Sequence, residues 1–411
     1  MRYGQLYTKY RGFIFTPKSF IQSSHASQYT AIYYGDVLFA ASGEKVDEIG
    51  KSAVNLMRTA AVCGGDVIIL RPRIDICPPF LGYALDCYSS ASQKASMCRG
   101  STIKHIYPDE LRRLAVSLPP LDEQAAIVRF LDHANRKIDG FVRAKRKLIG
   151  LLNEQKQAII HRAVTRGLNP DVPLKPAGVP WLESVPNHWQ MTPNRSLFRI
   201  RKVLVGPRHR EYQVLSLTKR GVIVRDMEAG GKFSNFWERS QEVRPGDLVF
   251  CFFDVDETPR AIGLSHALGM ISPDYTVMEC SDTLVASFLE CFYVAMDDRK
   301  MLRPLYTGLR KRISKPLFLA AKTPIPPPEE LSAILAFVKG AVIEIDSSLE
   351  VIQREIALMQ EYRTRLTADI VTGKLDVREA AAKLPDLPAE AAAESSADDA
   401  MDDTETEELE A

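Results

Sequence analysis

The chain has 411 residues, of which 45% are hydrophobic and 26% charged, as expected for a globular protein of two or three domains. No apolar run reaches the roughly 18 residues of a membrane span, and the N-terminus lacks the apolar segment of a signal peptide. We therefore expect a cytoplasmic protein that contacts no membrane. Seven scattered cysteines without a Cys-x-x-Cys pair predict reduced thiols rather than a zinc site or a disulfide framework.

The net charge of +1 conceals an asymmetry. Residues 388–411 carry ten acidic and no basic side chains, so residues 1–387 carry +11. A basic body is typical of nucleic-acid binders, although many other proteins share it. The tail has no periodic apolar residues, which predicts disorder from residue 376 to 411. An intramolecular mimic of DNA is the alternative function of this tail.

The first predicted domain, residues 1–117, mixes strands and helices. A Gly-Asp turn at Gly35 and Asp36 leads into an apolar strand, a second strand is predicted at 66–71, and a helix at 79–90. Gly100 is followed by Lys104 and His105 shortly before the next element. This domain begins at residue 1 without a counterpart of residues 187–211, so we expect it to be short at its N-terminus.

A long helix is predicted at 118–168. Prolines and acidic residues stand at its start, and Gly167 stands near its end. Apolar residues recur at alternating steps of three and four, which is typical of a coiled-coil seam; they are Ile127, Leu131, Ala134, Ile138, Phe141, Leu148, Leu152 and Ile159. Lys145 and Gln155 interrupt this pattern. Residues 169–186 form a proline-rich linker that we expect to be extended and partly docked.

The second half repeats this order. Residues 187–324 contain another Gly-Asp turn at Gly246 and Asp247, predicted strands at 212–217, 221–225 and 275–280, and a predicted helix at 285–297. Residues 325–375 then align with 118–168 without a gap at a constant offset of 207, and fifteen positions are identical. The seam of this second helix is interrupted at Arg363. A gapless match of this length indicates an internal repeat.

Each helix must cover its apolar seam, and the nearest partner is its own copy. We therefore predict an α+β fold in which two mixed α/β domains are separated by two long antiparallel coiled-coil helices, related by a pseudo-twofold axis. The alternatives are that each helix packs on its own domain or on another chain.

Several short motifs suggest enzymes, and none is complete. Gly50-Lys51-Ser52 resembles the end of a phosphate loop, but Lys45 stands where that loop needs glycine. Cys77-Pro78-Pro79-Phe80 resembles an amino-methyltransferase motif, but cysteine cannot accept hydrogen bonds from the amino group as Asn or Asp does. The seven histidines show no metal-binding spacing. We predict no catalytic residue, no metal site and no cofactor bound by this chain.

The chain resembles the specificity subunits of type I restriction–modification systems. The resemblance rests on Pro-Pro-Leu-Asp-Glu-Gln at 119–124, Thr-Arg-Gly-Leu at 165–168 and Gly-Val-Pro-Trp-Leu-Glu at 178–183 with Pro-Asn-His-Trp at 186–189. It also rests on Leu-Ser-Leu-Thr-Lys-Arg-Gly at 215–221 and Gly-Met-Ile-Ser-Pro-Asp-Tyr at 269–275. It covers nearly the whole chain except the acidic tail.

The resemblance implies that each domain reads one half of a bipartite, asymmetric site in double-stranded DNA. The helices would set the spacing and dock two modification (methyltransferase) subunits that use S-adenosylmethionine. Restriction (translocase/endonuclease) subunits that use ATP and Mg²⁺ would join them.

Basic residues in loops are the candidate DNA contacts, because arginine and lysine bind phosphates and can bond guanine. In the second domain they are Arg199, Arg201, Lys202, Arg208, His209, Arg210, Lys219, Arg220, Arg225, Arg310, Lys311, Arg312 and Lys315. In the first domain they are Lys45, Lys51, Arg58, Lys94, Arg99, Lys104 and His105. The basic residues of the first helix at 136–147 could follow DNA or form a solvated face, and the solvated face is the favoured interpretation. Two alternative functions remain: an adaptor that joins partners through its coiled coil without touching DNA, and a stand-alone modification enzyme, which the missing motifs disfavour.

Overall fold

The computed structural model describes residues 1–226, 237–258, 260–308 and 311–385. Arg310 and the tail from residue 386 lie outside these ranges. The chain divides into two compact units, one formed by residues 1–146 with 352–411 and the other by residues 147–351. Among the described helices, none is both long and apolar enough to span a membrane.

The first unit contains a mixed sheet and a helical layer. Its strands are β1 (Gly12–Ile14), β2 (Thr30–Ile32), β3 (Val37–Ala40), β4 (Ser42–Gly43), β5 (Ser52–Asn55), β6 (Ala61–Cys63), β7 (Val67–Leu70) and β8 (Lys104–His105). Its helices are α1 (Tyr3–Thr8), α2 (Pro78–Asp86), α3 (Tyr88–Met97), α4 (Pro108–Leu111) and the first part of α5 (Leu121–Arg166). A four-stranded sheet has the order β1-β5-β3-β7, in which β1 runs parallel to β5 and the other pairs are antiparallel.

The second unit holds the remainder of α5 and two four-stranded sheets. Its strands are β9 (Leu174–Val179), β10 (Leu182–Pro186), β11 (Gln190–Pro193), β12 (Arg199–Arg201), β13 (Gln213–Thr218), β14 (Gly221–Val224), β15 (Gln241–Val243), β16 (Leu248–Phe250), β17 (Ile262–Leu264), β18 (Gly269–Ile271), β19 (Thr276–Glu279), β20 (Tyr306–Thr307), β21 (Arg312–Ile313) and β22 (Lys322–Ile325). Its helices are α6 (Asn194–Leu197), α7 (Thr283–Asp298), α8 (Lys315–Ala320) and the first part of α9 (Pro328–Val371), whose last part belongs to the first unit with α10 (Arg378–Ala382). The sheet orders are β12-β19-β16-β17 and β14-β13-β18-β15.

The predicted central strands are confirmed, and each follows its Gly-Asp turn. Gly35 and Gly246 have φ values of +85° and +91°, a conformation that only glycine adopts without strain. The carboxylate of each aspartate accepts a backbone N–H three residues earlier, Tyr33 N to Asp36 Oδ2 at 2.7 Å and Arg244 N to Asp247 Oδ2 at 2.8 Å. The turn therefore directs β3 and β16 into the centre of their sheets in the same way.

The two long helices pack antiparallel within each unit. In the first unit Ile127 and Leu131 share a buried cluster with Ile370 and Val371. In the second unit Ala163 and Val164 share a core with Leu331, Ile334 and Val338. In each case the start of one helix meets the end of the other, which confirms the predicted antiparallel coiled coil. Burying each such side chain contributes about 1.5–3 kcal/mol relative to an exposed one.

Two of the three interruptions of the apolar pattern, Lys145 and Arg363, are positions of ion pairs between the helices. In the first unit Lys145 contacts Glu355 at 2.6 Å, and Arg363 pairs with Asp139. In the second unit Lys156 contacts Asp346 at 2.6 Å. At the offset of 207, Lys156 corresponds to Arg363 and Asp139 to Asp346. The repeat therefore preserves a charged pair in each unit as well as its apolar contacts.

One part of the predicted seam was wrong. Leu148 remains 39% exposed, and Ile149 lies in the partly buried position next to it. The seam instead passes through Val142, Lys145, Ile149 and Lys156, which are separated by three, four and seven residues. The two lysines lie in the seam because their ammonium groups contact carboxylates of the facing helix. The apolar pattern alone therefore shifted the seam by one residue.

The linker and the start of the tail also form defined structure. Strands β9 and β10 pair as an antiparallel hairpin, and Trp181 and Trp189 are buried in the second unit. Residues 376–385 do not belong to a disordered tail, since α10 packs with Val377 and Ala381 buried and Arg129 donates to the carbonyl of Leu384. These apolar contacts hold the segment on the first unit.

The first unit begins with elements in the same order as a part of the second unit, but its first strand pairs with a different strand of its sheet. Helix α1, strand β1 and a 3-10 turn (Ser23–Gln28) correspond in order to α6, β12 and the turn Gly206–Glu211. Strand β1 joins β5, whereas β12 joins β19. Elements in the order of residues 194–211 are therefore present and attached to a different strand, whereas β11 has no counterpart before α1.

Reversing the Asp139–Arg363 pair tests the helix register. We expect Asp139→Arg or Arg363→Asp alone to lower the free energy of unfolding by about 1 kcal/mol, and the double variant to regain most of that loss. The measurement is urea unfolding of the four proteins. Arg365→Glu, next to the intrahelical partner Glu361, is the matched control and should cost no more than about 0.5 kcal/mol. A double variant as unstable as the sum of the single variants would contradict the pairing.

His161 on α5 predicts a pH dependence of stability. Burial, with the charges of Arg299 and Arg166, lowers the pKa of His161 to about 4. Between pH 6.5 and 4 the unfolded chain binds a proton there that the folded chain does not, so the free energy of unfolding falls as pH falls. We expect His161→Gln to lose about 1 kcal/mol less than the native chain over this interval, allowing for solvent screening. Urea unfolding at several pH values checks this, with the exposed His25→Gln as control.

Candidate nucleic-acid interface

Each unit presents a loop directly after its central strand, which we call the exit loop. Exit loop 1 comprises residues 41–51, and exit loop 2 comprises residues 251–260, of which 259 is not described. At the opposite end of each central strand, an ion pair fixes the Gly-Asp turn that enters the strand. Arg71 reaches Asp36 at 2.7 Å, and Arg201 reaches Asp247 at 2.9 Å. Both aspartates are buried, so the strand before each exit loop is held rigidly.

A hairpin precedes each of the long helices α5 and α9 and packs against the exit loop. We call it the pre-helix hairpin. Hairpin 1 comprises residues 99–106 and hairpin 2 residues 306–313, of which 309 and 310 are not described. The N–H of Ile106 donates to the carbonyl of Ala41 at 3.0 Å, and that of Ile313 donates to the carbonyl of Phe252 at 3.0 Å. Ile106 and Ile313 are separated by the repeat offset of 207. The two units therefore join hairpin and exit loop by the same bond.

The predicted lysines Lys104 and Lys311 occupy equivalent places on these hairpins, again 207 residues apart. Lys104 Nζ lies 2.7 Å from the carbonyl of Gly100, and Lys311 Nζ lies 2.6 Å from Asp256 Oδ2. Arg312 is exposed beside Lys311. In exit loop 1, Lys45 is exposed and pairs with Glu48 at 3.5 Å, and Lys51 is half-buried at its end.

Two further basic residues lie in or beside exit loop 2, and the sequence did not single out either of them. Arg303 bonds Asp256 at 3.0 Å, and Arg260 bonds both Asp298 at 2.8 Å and the carbonyl of Lys219 at 3.4 Å. The latter bond holds the β13–β14 turn with its exposed Lys219 and Arg220. Hydrogen bonds from Lys311 and Arg303 lower the pKa of Asp256, which therefore stays ionised. No sequence motif could identify Arg260 or Arg303, because their partners are distant in the chain.

Backbone strain is concentrated in the same place. Among the described residues, three non-glycine residues have positive φ: Asp254 at +46°, Lys300 at +48° and Lys311 at +43°. Such conformations cost of the order of 1 kcal/mol each and often accompany functional sites. All three belong to exit loop 2, to hairpin 2 or to a residue that bonds the loop.

A second group of predicted residues lies on other elements of the second unit. Arg199 and Lys202 are exposed at β12, Arg208 and Arg210 are exposed on the following 3-10 turn with the half-buried His209, and Lys315 starts α8. Burial and the charge of Lys202 lower the pKa of Lys315. Arg225 follows β14, and its N–H donates to the carbonyl of Val214 at 2.8 Å.

Two predicted DNA contacts have structural roles instead. The Arg201 side chain is only 12% exposed and pairs with buried Asp247, so it stabilises the turn. Lys94 is 1% exposed and donates to the carbonyls of Gly50 at 2.8 Å and Leu85 at 2.9 Å. Burial lowers the pKa of Lys94 and raises that of its neighbour Asp86. Sequence alone cannot separate such cations from solvent-exposed ones.

The incomplete enzyme motifs also take part in packing. Cys77 precedes α2 and donates its N–H to Gln124 Oε1 at 2.9 Å, while Phe80 is fully buried. Gly50 offers its carbonyl to Lys94, and Ser52 lies in β5. Within the described ranges, no group of three or more His, Cys, Asp or Glu side chains is arranged to hold a metal ion.

Each unit therefore has a basic loop surface built on a sheet and connected to the paired helices. Residues 17–146 match the family described as Type I restriction modification DNA specificity domain. The chain is 23% identical over 361 residues to the putative type I restriction enzyme MjaX specificity subunit of Methanocaldococcus jannaschii, covering 84% of this chain and 79% of that protein.

Further similarities agree with this class. The type I restriction enzyme MjaVIII specificity subunit of the same organism is 21% identical over 309 residues, which are 69% of this chain and 67% of that one. A solved chain described as "Structural basis underlying complex assembly and conformational transition of the type I R-M system" has the same fold, with a TM-score of 0.64, 14% identity and 90% of each chain covered. The chain is therefore similar to type I restriction–modification specificity subunits over most of its length.

Removing the Lys311 ammonium tests hairpin 2 as a phosphate contact. We expect Lys311→Ala to weaken binding of the full-length chain to duplex DNA and to reduce the slope of log K against log salt by about 1. Titrations at several salt concentrations measure this slope. Lys339→Ala, an exposed lysine of α9, is the control for loss of one positive charge. Identical slopes for the two variants would place Lys311 outside the interface.

Proposed function

We propose that this chain reads a bipartite, asymmetric site in double-stranded DNA, with one half-site for each unit. Each reading surface consists of an exit loop with its pre-helix hairpin, supplemented in the second unit by the β13–β14 turn. The observation that carries this proposal is the repetition of the Ile106–Ala41 bond as Ile313–Phe252, with Lys104 and Lys311 at the same offset. The loops around this common framework differ, as expected of two modules that read different bases.

The group around β12 is a further candidate for contacts to phosphate. Arg199, Lys202, Arg208, Arg210 and Lys315 are all exposed, and exposed cations contribute affinity without reading bases. Their place in the proposal is therefore to position the DNA. Arg225 is assigned to the same supporting role.

Helices α5 and α9 would hold the spacing between half-sites and dock two modification subunits. In this proposal those subunits methylate adenine with S-adenosylmethionine, and restriction subunits that use ATP and Mg²⁺ join the complex. The present chain would contribute recognition without catalysis. The similarity to specificity subunits does not favour an adaptor that never touches DNA.

A domain exchange tests the proposal, and the structure supplies its boundaries. Strand β11 pairs with β22 so that Gln190 lies opposite Ile325; a segment of residues 190–325 therefore begins and ends side by side. We expect replacement by the corresponding segment of another specificity subunit to change one half of the methylated sequence and leave the other half unchanged. Mapping of methylated adenines in cells that express the complex measures both halves.

The unchanged half is the internal control, since it shows that the complex assembles and methylates DNA. A methylated sequence that stays the same in both halves, or changes in both, would overturn the assignment of one half-site to each unit. A reciprocal exchange of the first unit's recognition domain should alter the complementary half.

A further inference from the structure

A lysine near the end of a helix holds exit loop 2. Lys300 follows α7, and its ammonium donates to the carbonyls of Val255 and Thr258, each at 3.0 Å. It also bonds Asp297 Oδ1 at 2.8 Å, while Asp297 Oδ2 accepts the N–H of Ala261 at 2.7 Å. One lysine and one aspartate therefore bond two carbonyls of exit loop 2 and the N–H of Ala261, which directly follows the loop.

The first unit contains a related lysine–aspartate pair, whose lysine bonds one carbonyl of the exit loop and the carbonyl of Leu85 in α2. Lys94 of α3 donates to the carbonyl of Gly50 at 2.8 Å, near the end of exit loop 1. Its partner Asp86 lies 3.9 Å away and accepts the N–H of Ser52, where β5 begins, at 3.4 Å. Gly50 has φ of +68°, and a Cβ there would approach Lys94 Cδ to 3.1 Å. We call each lysine–aspartate pair the loop clamp of its unit.

The clamp of the second unit leads directly to the basic hairpin. Asp256 lies between the two clamped carbonyls of Val255 and Thr258, and its carboxylate bonds Lys311 at 2.6 Å and Arg303 at 3.0 Å. Fixing the loop backbone therefore fixes Asp256, and Asp256 fixes the hairpin cations. In the first unit the link is through backbone, since β4 of exit loop 1 pairs with β8 of hairpin 1.

The free-energy cost of burying these charged groups indicates that the clamp does more than fill space. An ammonium that is 1% exposed, as in Lys94, is stable only with full hydrogen bonding, and apolar residues often replace such groups without loss of stability. Lys300 has a positive φ as well, which adds the free-energy cost of a strained backbone. Two units with different loops nevertheless contain a related arrangement.

We propose that Lys94 and Lys300, with Asp86 and Asp297, are positioning residues that set the geometry of their reading surfaces and thereby the accuracy with which each half-site is discriminated. This inference rests on the proposed function, because it assigns one clamp to each half-site. A reading group displaced by about 1 Å loses much of its discrimination. Each clamp should therefore affect its own half-site only.

The experiment compares Lys300→Met with Lys94→Met in the assembled modification complex. Initial methylation rates are measured on the cognate duplex and on duplexes with one base changed in either half-site. For Lys300→Met we expect the ratio of cognate to mismatched rate to fall about tenfold in the half-site assigned to the second unit by the domain exchange, and to change less than about twofold in the other. Lys94→Met should give the opposite pattern.

Two further variants separate positioning from folding. Asp297→Asn with Lys300→Met leaves no uncompensated charge, so the double variant should fold and still show the loss of discrimination. Lys300→Arg keeps a cation at the loop and should recover part of the ratio. Equal changes at both half-sites, or ratios that match the native complex in all variants, would overturn the clamp proposal. A domain exchange that succeeds while the clamp variants show no effect would refute the clamp alone and leave the proposed function intact.

Discussion

The apolar seams of α5 and α9 are the constraint on which the rest of the structure depends. A helix of more than 40 residues with a continuous apolar stripe cannot leave that stripe in water. In each unit the stripe of one helix is covered by the stripe of the other, running in the opposite direction. The ion pairs at Lys145, Lys156 and Arg363 add direction and register, because a shifted alignment would leave these charges in the seam without partners.

The recognition domains are attached to this helix pair by different contacts in the two units. In the first, the Tyr83 hydroxyl donates to Asp132 of α5 at 2.5 Å, and burial raises the pKa of both groups. In the second, Trp189 donates its indole N–H to Glu330 of α9 at 3.0 Å. Glu330 is the repeat counterpart of Glu123, which instead approaches Arg378. The helices thus retain their seam while the contacts to each domain differ.

This separation of framework and surface suits the proposed reading of different bases by the two units. The Gly-Asp turn, the central strand and the bond between hairpin and exit loop recur in both units. Among the described residues, the solvent-accessible side chains of those loops differ between the units, apart from Lys104 and Lys311. Changes in exposed loop residues leave the buried Asp36 and Asp247 untouched, so the reading surface can vary at little cost to the fold.

Predictions from the sequence succeeded where a signal is local. The strand at 66–71 appears as β7, and the helix at 285–297 appears as α7, whose Asp282 caps it by accepting the N–H groups of Leu284 and Val285. Predictions failed where the environment of a charge decides its role. Arg201 and Lys94 were assigned to DNA because a basic residue in a loop or on a short helix gives the same signal whether it is exposed or buried beside a carboxylate. Arg260 and Arg303 were missed for the same reason.

The sequence by itself determined the repeat, the two long helices and the Gly-Asp turns, because helical periodicity and turn chemistry act over a few residues. Only the tertiary structure decided which cations face outward and which hold the exit loops. The loop clamps show the physical reason. Asp86 and Lys94 are eight residues apart, whereas Asp297 and Lys300 are three apart, so no common spacing marks them. They become equivalent only when a helix end, a strand and a loop are brought together by folding.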